Sequence, residues 1–180
     1  MLATRFFKQG SDFLGVKYPI LCGAMTWVSE PTLVSAVSNA GGFGVLAGGN
    51  TPVDILEKQI QQTRTLTSKN FAVNLVTVAP NYRPQIEMLK RTPLPYVVFA
   101  GGLPKQDEIK AMKDQGAKVL CFAPTLGFAE RLVKWGADAL VIEGREAGGH
   151  VGPVSTIVLV QQILFNMPNV PVFVAGGLAT

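Results

Sequence analysis

Short apolar runs rich in β-branched residues alternate with amphipathic segments along the 180 residues, and glycine pairs recur where such runs end. Together these observations predict an α/β fold, specifically a TIM (β/α)8 barrel that is incomplete here. Near-continuous apolar strands are typical of a parallel sheet covered on both faces. With 48% hydrophobic and 16% charged residues, the chain is predicted to build a large core, which excludes a disordered protein.

Seven runs predict the strands of this sheet. They cover residues 19–22, 43–47, 71–76, 96–99, 117–122, 138–142 and 170–175. The segments between them carry apolar residues at helical spacing, as Leu126, Ala129 and Leu132 show. Strand and helix are therefore expected to alternate from the first run to the seventh.

Several residues predict where helices begin. Thr51 is expected to be the N-cap of a helix whose first residue is Pro52, and Pro31 indicates a similar start. Ser155 and Thr156 are expected to cap the helix that follows the sixth strand, because hydroxyl oxygens accept from the free N–H groups of a first turn.

Glycine pairs mark one end of the predicted sheet. They are Gly48 with Gly49, Gly101 with Gly102, Gly148 with Gly149, and Gly176 with Gly177. Each pair lies at or just after the carboxyl end of a predicted strand, which is where barrels build their active sites. An open doubly wound sheet is the rival architecture. Its dinucleotide pattern G-x-G-x-x-A occurs at residues 42–47, but there it enters a strand instead of leaving one.

A complete barrel of this type has eight strands and about 250 residues. Only seven strands are predicted here, and residues 170–180 end directly after the seventh and its glycine-rich turn. Residues 1–180 are therefore expected to form a single domain that is a fragment lacking the C-terminal part of the barrel.

Charge and cysteine content narrow the class of protein. The formal charge of +4 comes from scattered basic residues, which indicates a mild preference for anionic small molecules and no nucleic-acid partner. No apolar stretch approaches the ~18 residues of a membrane span, so no membrane contact and a cytoplasmic location are expected. Cys22 and Cys121 lie in apolar runs, which predicts neither a disulfide nor a metal site.

The loop at residues 143–152, after the sixth strand, contains the only histidine. His150 lies between Gly149 and Gly152, where packing gives no reason for an imidazole, so we expect it to act as a catalytic acid or base. Glu143 is expected to line the site from the strand end, and Glu146 to accept hydrogen bonds within the loop.

Five segments resemble one known family. They are residues 23–25, 39–44, 73–75, the loop of His150, and residues 175–179, in this order. The pattern is similar to that of the nitronate monooxygenase family, formerly called 2-nitropropane dioxygenases, whose superfamily also contains the flavin-dependent type II enoyl-ACP reductase. The resemblance runs from about residue 19 to residue 180.

The resemblance implies an FMN-binding barrel and a role for each matching residue. Ala24 and Met25 would lie against the flavin ring, and Asn74 would hydrogen-bond its pyrimidine edge. Glu143 would line the flavin site, Gly149 would lie close to the cofactor, and Gly176 and Gly177 would offer N–H groups to its phosphate. His150 would be the catalytic acid/base. Each residue also has an ordinary structural alternative: Met25 as core filler, Asn74 as a strand-end cap, and the glycines as turns.

The function implied is FMN-dependent oxidation of alkyl nitronates with O2 to a carbonyl compound and nitrite. An alternative is reduction of an enoyl thioester by NAD(P)H through the same FMN. A further alternative, of another class, is a truncated chain without catalysis, either a partial flavin-binding module or an assembly subunit. The expected partners are therefore a small-molecule substrate together with O2 or NAD(P)H.

Overall fold

A computed structural model describes the backbone of residues 2–178 and the side chains of residues 7–178. In this part of the chain seven helices and seven strands alternate: α1 (Leu2–Leu14), β1 (Leu21–Cys22), α2 (Pro31–Asn39), β2 (Phe43–Ala47), α3 (Val53–Leu66), β3 (Phe71–Val76), α4 (Tyr82–Arg91), β4 (Tyr96–Ala100), α5 (Gln106–Asp114), β5 (Lys118–Ala123), α6 (Leu126–Lys134), β6 (Ala139–Glu143), α7 (Thr156–Asn166) and β7 (Val172–Ala175). All seven predicted strands are confirmed, with ends that differ by at most two residues.

The strands form one sheet in which every neighbouring pair is parallel, in the order β1 to β7. A doubly wound sheet would reverse its strand order part-way, and this sheet does not. Among the described residues β1 and β7 each pair on one side only. The predicted incomplete TIM barrel is thus confirmed.

The core has two layers, because side chains alternate between the two faces of each strand. On β3, Val73 and Leu75 belong to the larger layer between the sheet and the helices. Ala72 belongs to the smaller layer inside the curved sheet. That inner layer is formed by Leu14, Phe43, Val45, Ala72, Tyr96, Val98, Leu120, Ala139, Val141 and Phe173.

Helix α1, which the sequence patterns did not predict, packs at the amino end of this inner layer. Leu14 at its end is fully buried there. The hydroxyl of Tyr96 donates to the Phe13 carbonyl oxygen at 2.8 Å, and Lys118 Nζ donates to the same oxygen at 2.7 Å. Because one end of the interior is filled in this way, the carboxyl ends of the strands are left for a site.

One of these predicted helix starts is confirmed and one needs correction. Helix α2 begins at Pro31 as expected, but α3 begins at Val53 with Pro52 as its N-cap, so the prediction of Thr51 as the cap was wrong by one residue. The Thr51 hydroxyl instead donates to the Ala47 carbonyl oxygen at 2.9 Å, which ties the β2–α3 turn to its strand.

No helix in the described part of the chain combines the length and the apolar character that a bilayer crossing needs.

Candidate active site at the carboxyl end of the strands

The carboxyl ends of β3, β6 and β7 bring three predicted site regions to one rim. Asn74 has the same strand parity as the inner-layer residue Ala72, and Glu143 the same parity as Val141, so both point to the inside of the curved sheet. Glu143 lies directly opposite Ala175 in the β6–β7 register. The rim therefore combines an amide, a carboxyl group and a small side chain.

Asn74 is a polar side chain in an apolar interior, with only 5% of its surface exposed. Its Nδ2 donates one long bond, 3.4 Å, to the Val98 carbonyl oxygen. It lies inside β3 and not at its end, so the alternative of a strand-end cap was wrong. Buried amides normally satisfy more of their hydrogen-bonding capacity than this, which makes Asn74 suited to a bound polar ligand.

The loop after β1 carries Ala24 and Met25. Ala24 packs against the inner layer, whereas Met25 is 47% exposed, so the alternative of Met25 as core filler was wrong. Ser29 holds the loop in shape: its buried hydroxyl donates to the Gly23 carbonyl oxygen at 2.6 Å and accepts from the Met25 N–H at 3.0 Å. Sequence reasoning did not single out Ser29.

The same loop contains a backbone feature that the sequence did not reveal. Trp27 has a φ of +63°, the left-handed region that bulky residues rarely adopt, and its side chain is 65% exposed. Met25 and Val28 beside it are also exposed apolar side chains. Strained residues of this kind are frequent where a ligand is bound.

His150 stands in the loop between β6 and α7 and is exposed. The preceding Gly149 has a φ of +87°, so a side chain there would be strained. Apart from the residues next to each glycine in the chain, no described atom lies within 4 Å of where a Cβ on Gly148 or Gly149 would be. The approach to His150 is therefore open on the side of these two glycines.

Glu143 and His150 interact electrostatically. Burial at the strand end raises the pKa of the Glu143 carboxyl, and the charge of His150 opposes this by favouring the carboxylate. The two side chains therefore influence each other through their charges, although no hydrogen bond or ion pair joins them among the described residues.

The turn after β7 packs against the His150 loop. Gly176 has a φ of +85°, and a Cβ on it would lie 2.4 Å from the Ala147 Cα and 2.7 Å from the Glu146 carbonyl oxygen. Gly177 also has a left-handed φ, +72°, and is exposed. The glycines are needed at this turn both for conformation and for close approach.

Glu146 accepts hydrogen bonds, as the sequence predicted, but its partner is Thr156 on α7 and not a residue of the loop. Glu146 Oε2 accepts from the Thr156 N–H at 2.7 Å and from the Thr156 hydroxyl at 2.7 Å. Ser155 occupies the N-cap position of α7 without a side-chain capping bond, so the prediction that it caps this helix was wrong. A carboxylate ten residues earlier does so instead.

Neither thiol shows the features of a reactive or metal-binding cysteine. Both cysteines are free, and burial raises the pKa of the Cys121 thiol, which keeps it protonated and unreactive. Within the described residues, no three His, Cys, Asp or Glu side chains are grouped so that they could hold a metal ion.

Comparison with known proteins agrees with this arrangement. Residues 8–85 and 77–180 match the family described as nitronate monooxygenase. The chain belongs to the nitronate monooxygenase family. The resemblance inferred from the five sequence segments is thereby confirmed.

Individual relatives within and around the nitronate monooxygenase family differ in their named activities. A (3aS,4S,5R,7aS)-5-hydroxy-7a-methyl-1-oxo-octahydro-1H-indene-4-carboxyl-CoA dehydrogenase of Rhodococcus jostii is 37% identical over 167 residues, which are 93% of this chain and 47% of that protein. FabK from Thermotoga maritima is 38% identical with a TM-score of 0.90, over 95% of this chain and 54% of that one. Nitroalkane oxidase from Streptomyces ansochromogenes is 27% identical with a TM-score of 0.86, over 94% of this chain and 61% of that one. The chain thus spans about half to three fifths of the length of these relatives.

Proposed function

We propose that residues 1–180 act as one flavin-binding domain that holds FMN at the carboxyl ends of the strands and oxidises alkyl nitronates with O2 to a carbonyl compound and nitrite. The observation that carries the proposal is the convergence of Asn74, Glu143, the His150 loop and the turn of Gly176 and Gly177 at one rim. Family membership supports the same reaction.

The chemical groups at the rim suit FMN in polarity. Ala24 and Ala175, which pack on the inner layer, are small apolar residues against which a flat ring system can lie. The amide of Asn74, with one long hydrogen bond, is free to bind the polar edge of such a ring. At the turn after β7 no Cβ blocks the backbone, so a phosphate can approach the N–H groups of Gly176 and Gly177.

FMN, when bound, supplies the electron transfer of this reaction. The protein supplies the proton transfer and the orientation of the substrate. For a neutral nitroalkane, an imidazole nitrogen of His150 accepts the α-proton, and the charge of the Glu143 carboxylate favours the imidazolium that results without a direct ion pair. A nitronate has already lost this proton and needs His150 only for binding.

A second candidate function is reduction of an enoyl thioester by NAD(P)H at the same FMN. Two observations favour it. The relatives that share 37% and 38% identity are named as a carboxyl-CoA dehydrogenase and FabK, the type II enoyl-ACP reductase, not as nitronate enzymes. The exposed apolar side chains of Met25, Trp27 and Val28 also offer more contact area than a small nitroalkane requires.

An anaerobic absorbance titration separates the two candidates. The purified protein is reconstituted with FMN and titrated with propionate 3-nitronate and, separately, with NADPH. Bleaching of the flavin band by the nitronate alone is the expected result. Bleaching by NADPH alone would replace the proposal with the thioester reductase, and a protein that binds no flavin would overturn both.

A further inference from the structure

Glu146 lies where three parts of the rim meet, and its carboxylate bonds to one of them. Its Oε2 atom accepts two hydrogen bonds from Thr156, the first residue of α7, each at 2.7 Å. The Thr156 hydroxyl and N–H would lie 2.2 and 2.5 Å from a Cβ on Gly144, so the start of the His150 loop is pressed against the same helix end. The loop is therefore held to α7 at the residues just before His150.

Glu146 also contacts the turn after β7. A Cβ on Gly177 would lie 3.1 Å from the Glu146 Cβ and 3.6 Å from the Thr156 hydroxyl oxygen. A Cβ on Gly176 would lie 2.7 Å from the Glu146 carbonyl oxygen. One residue thus lies between the loop that carries the imidazole and the turn that offers N–H groups to a phosphate.

The charge of Glu146 suits this position. Its hydrogen bonds with the hydroxyl and N–H of Thr156 lower the pKa of the carboxyl, so it is ionised at neutral pH. A carboxylate at the start of a helix interacts favourably with the unpaired N–H groups and the helix dipole. Because Ser155 provides no side-chain cap, Glu146 is the group that satisfies this helix end.

His150 itself has less support. It is exposed, and the two residues before it are glycines next to open space. Its position therefore depends on where the loop is anchored. Before His150 the anchors are Glu146 and Arg145, whose backbone N–H donates to the Val154 carbonyl oxygen at 2.8 Å; after it, the Gly152 N–H donates to the Gly144 carbonyl oxygen at 3.1 Å.

We infer that Glu146 is a positioning residue that holds the His150 loop and the turn of Gly176 and Gly177 against α7. The proton-transfer group His150 and the phosphate-binding turn then keep a fixed position relative to each other. This inference rests on the proposed function, since that function gives the two segments their roles. The contacts of Glu146 are present in the protein without cofactor, so their effect on the two segments can be measured in that form.

The test uses hydrogen exchange in the protein without FMN, read on peptides that cover residues 143–152 and 172–178. Glu146→Ala is expected to increase exchange in both segments, although the second is far from it in sequence. Glu146→Gln, whose amide oxygen can accept the same bonds, is expected to restore most of the protection. Glu130→Ala, at an exposed glutamate on α6, is the matched control and is expected to change neither segment.

Thr156 provides an independent pair of variants in case Glu146→Ala folds poorly. Thr156→Ser keeps the hydroxyl donor, and Thr156→Val removes it while keeping the shape and the backbone N–H. Increased exchange in both segments for the valine variant alone supports the inference. An increase confined to residues 143–152 in either series would overturn it, because the turn after β7 would then not depend on this contact.

FMN affinity and turnover complete the test. Glu146→Ala is expected to weaken FMN binding and to lower kcat, by up to about 100-fold, the loss that a displacement of about 1 Å can cause in a positioned group. If the wild-type protein binds no FMN, the proposed function fails while the exchange result still decides whether Glu146 fastens the two segments. If FMN binds equally well to both proteins, the positioning role is contradicted.

Discussion

Glu143 is a residue of the rim whose environment disfavours its ionised form. Its carboxyl group is carried into a partly buried position by β6, where burial raises its pKa and the charge of His150 only partly compensates. Such a group lowers the stability of the folded state when it is ionised.

Glu143→Gln is therefore expected to stabilise the protein near neutral pH. Because the pKa of the folded state is raised, the native protein binds the proton more tightly, and wild-type stability falls as pH rises from the ordinary glutamate value of about 4.3 through the folded value. The variant does not titrate. Thermal unfolding should place its Tm about 1–3 °C above wild type near pH 7 and level with it near pH 3.5.

A Gln variant that is less stable than wild type at neutral pH would contradict this interpretation. It would mean that the attraction between Glu143 and His150 outweighs the cost of burying the carboxylate. The control is Glu130→Gln at an exposed position, which is expected to leave the Tm unchanged at either pH.

At the scale of elements, β2 and α2 pack with almost no space between them. A Cβ on Gly44 would lie 2.4 Å from the Val34 carbonyl oxygen and 2.7 Å from its Cγ1 atom. Helix α2 can therefore lie against β2 only because that position has no side chain, and Val34 becomes fully buried there.

Gly44→Ala is expected to lower the free energy of unfolding by about 1–3 kcal/mol, since backbone and side chain must move apart to admit one methyl group. Gly127→Ala on α6 is the matched control. No described atom lies near its Cβ position, so it should be neutral or stabilise the protein by up to about 1 kcal/mol. Chemical denaturation of both variants measures the difference, and equal stabilities would show that the β2–α2 contact is looser than described.

The elements also show what sequence patterns can and cannot predict. The strands were predictable because each is a compact run of apolar residues, and β2 and β3 agree to the residue. The start of α7 was also predicted at the right place, but its capping group was not, because the cap is Glu146, ten residues earlier, while Ser155 occupies the usual capping position. Local patterns predict local hydrogen bonds, and this bond forms only when the loop is folded.

The site showed the same limit. Asn74, Glu143 and His150 could be proposed from residue type and position after a strand, and the structure brings their elements to one rim. The support from Ser29 and the left-handed backbone of Trp27 depend on how the loop after β1 closes, for which the sequence has no specific signal.

At the scale of the whole molecule, the two ends of the curved sheet differ in what covers them. The amino end is filled by α1, whose last residues are held by Tyr96 and Lys118, 83 and 105 residues away in sequence. This explains why α1 could not be predicted, since much of its support is distant in sequence. The carboxyl end keeps the polar groups and the open glycine segments.

Leu14→Ala is expected to destabilise the protein by about 3 kcal/mol, because Leu14 is fully buried in the inner layer and its loss leaves a cavity. Phe7→Ala on the same helix, where the side chain is 57% exposed, should change stability by no more than about 0.5 kcal/mol. Denaturant unfolding measures both. FMN affinity of folded Leu14→Ala should remain that of wild type, and a parallel loss of affinity would contradict the separation of the two ends.

The central claim is that His150 transfers a proton next to FMN held at the carboxyl ends of the strands. The most direct test compares steady-state turnover of a neutral nitroalkane and of its nitronate by wild type and His150→Ala, with flavin content measured in both. The account predicts that the variant keeps its FMN and loses about 10²–10⁴-fold on the neutral nitroalkane, with a much smaller loss on the nitronate. An equal loss on both substrates would contradict it and would leave His150 with a role in binding alone.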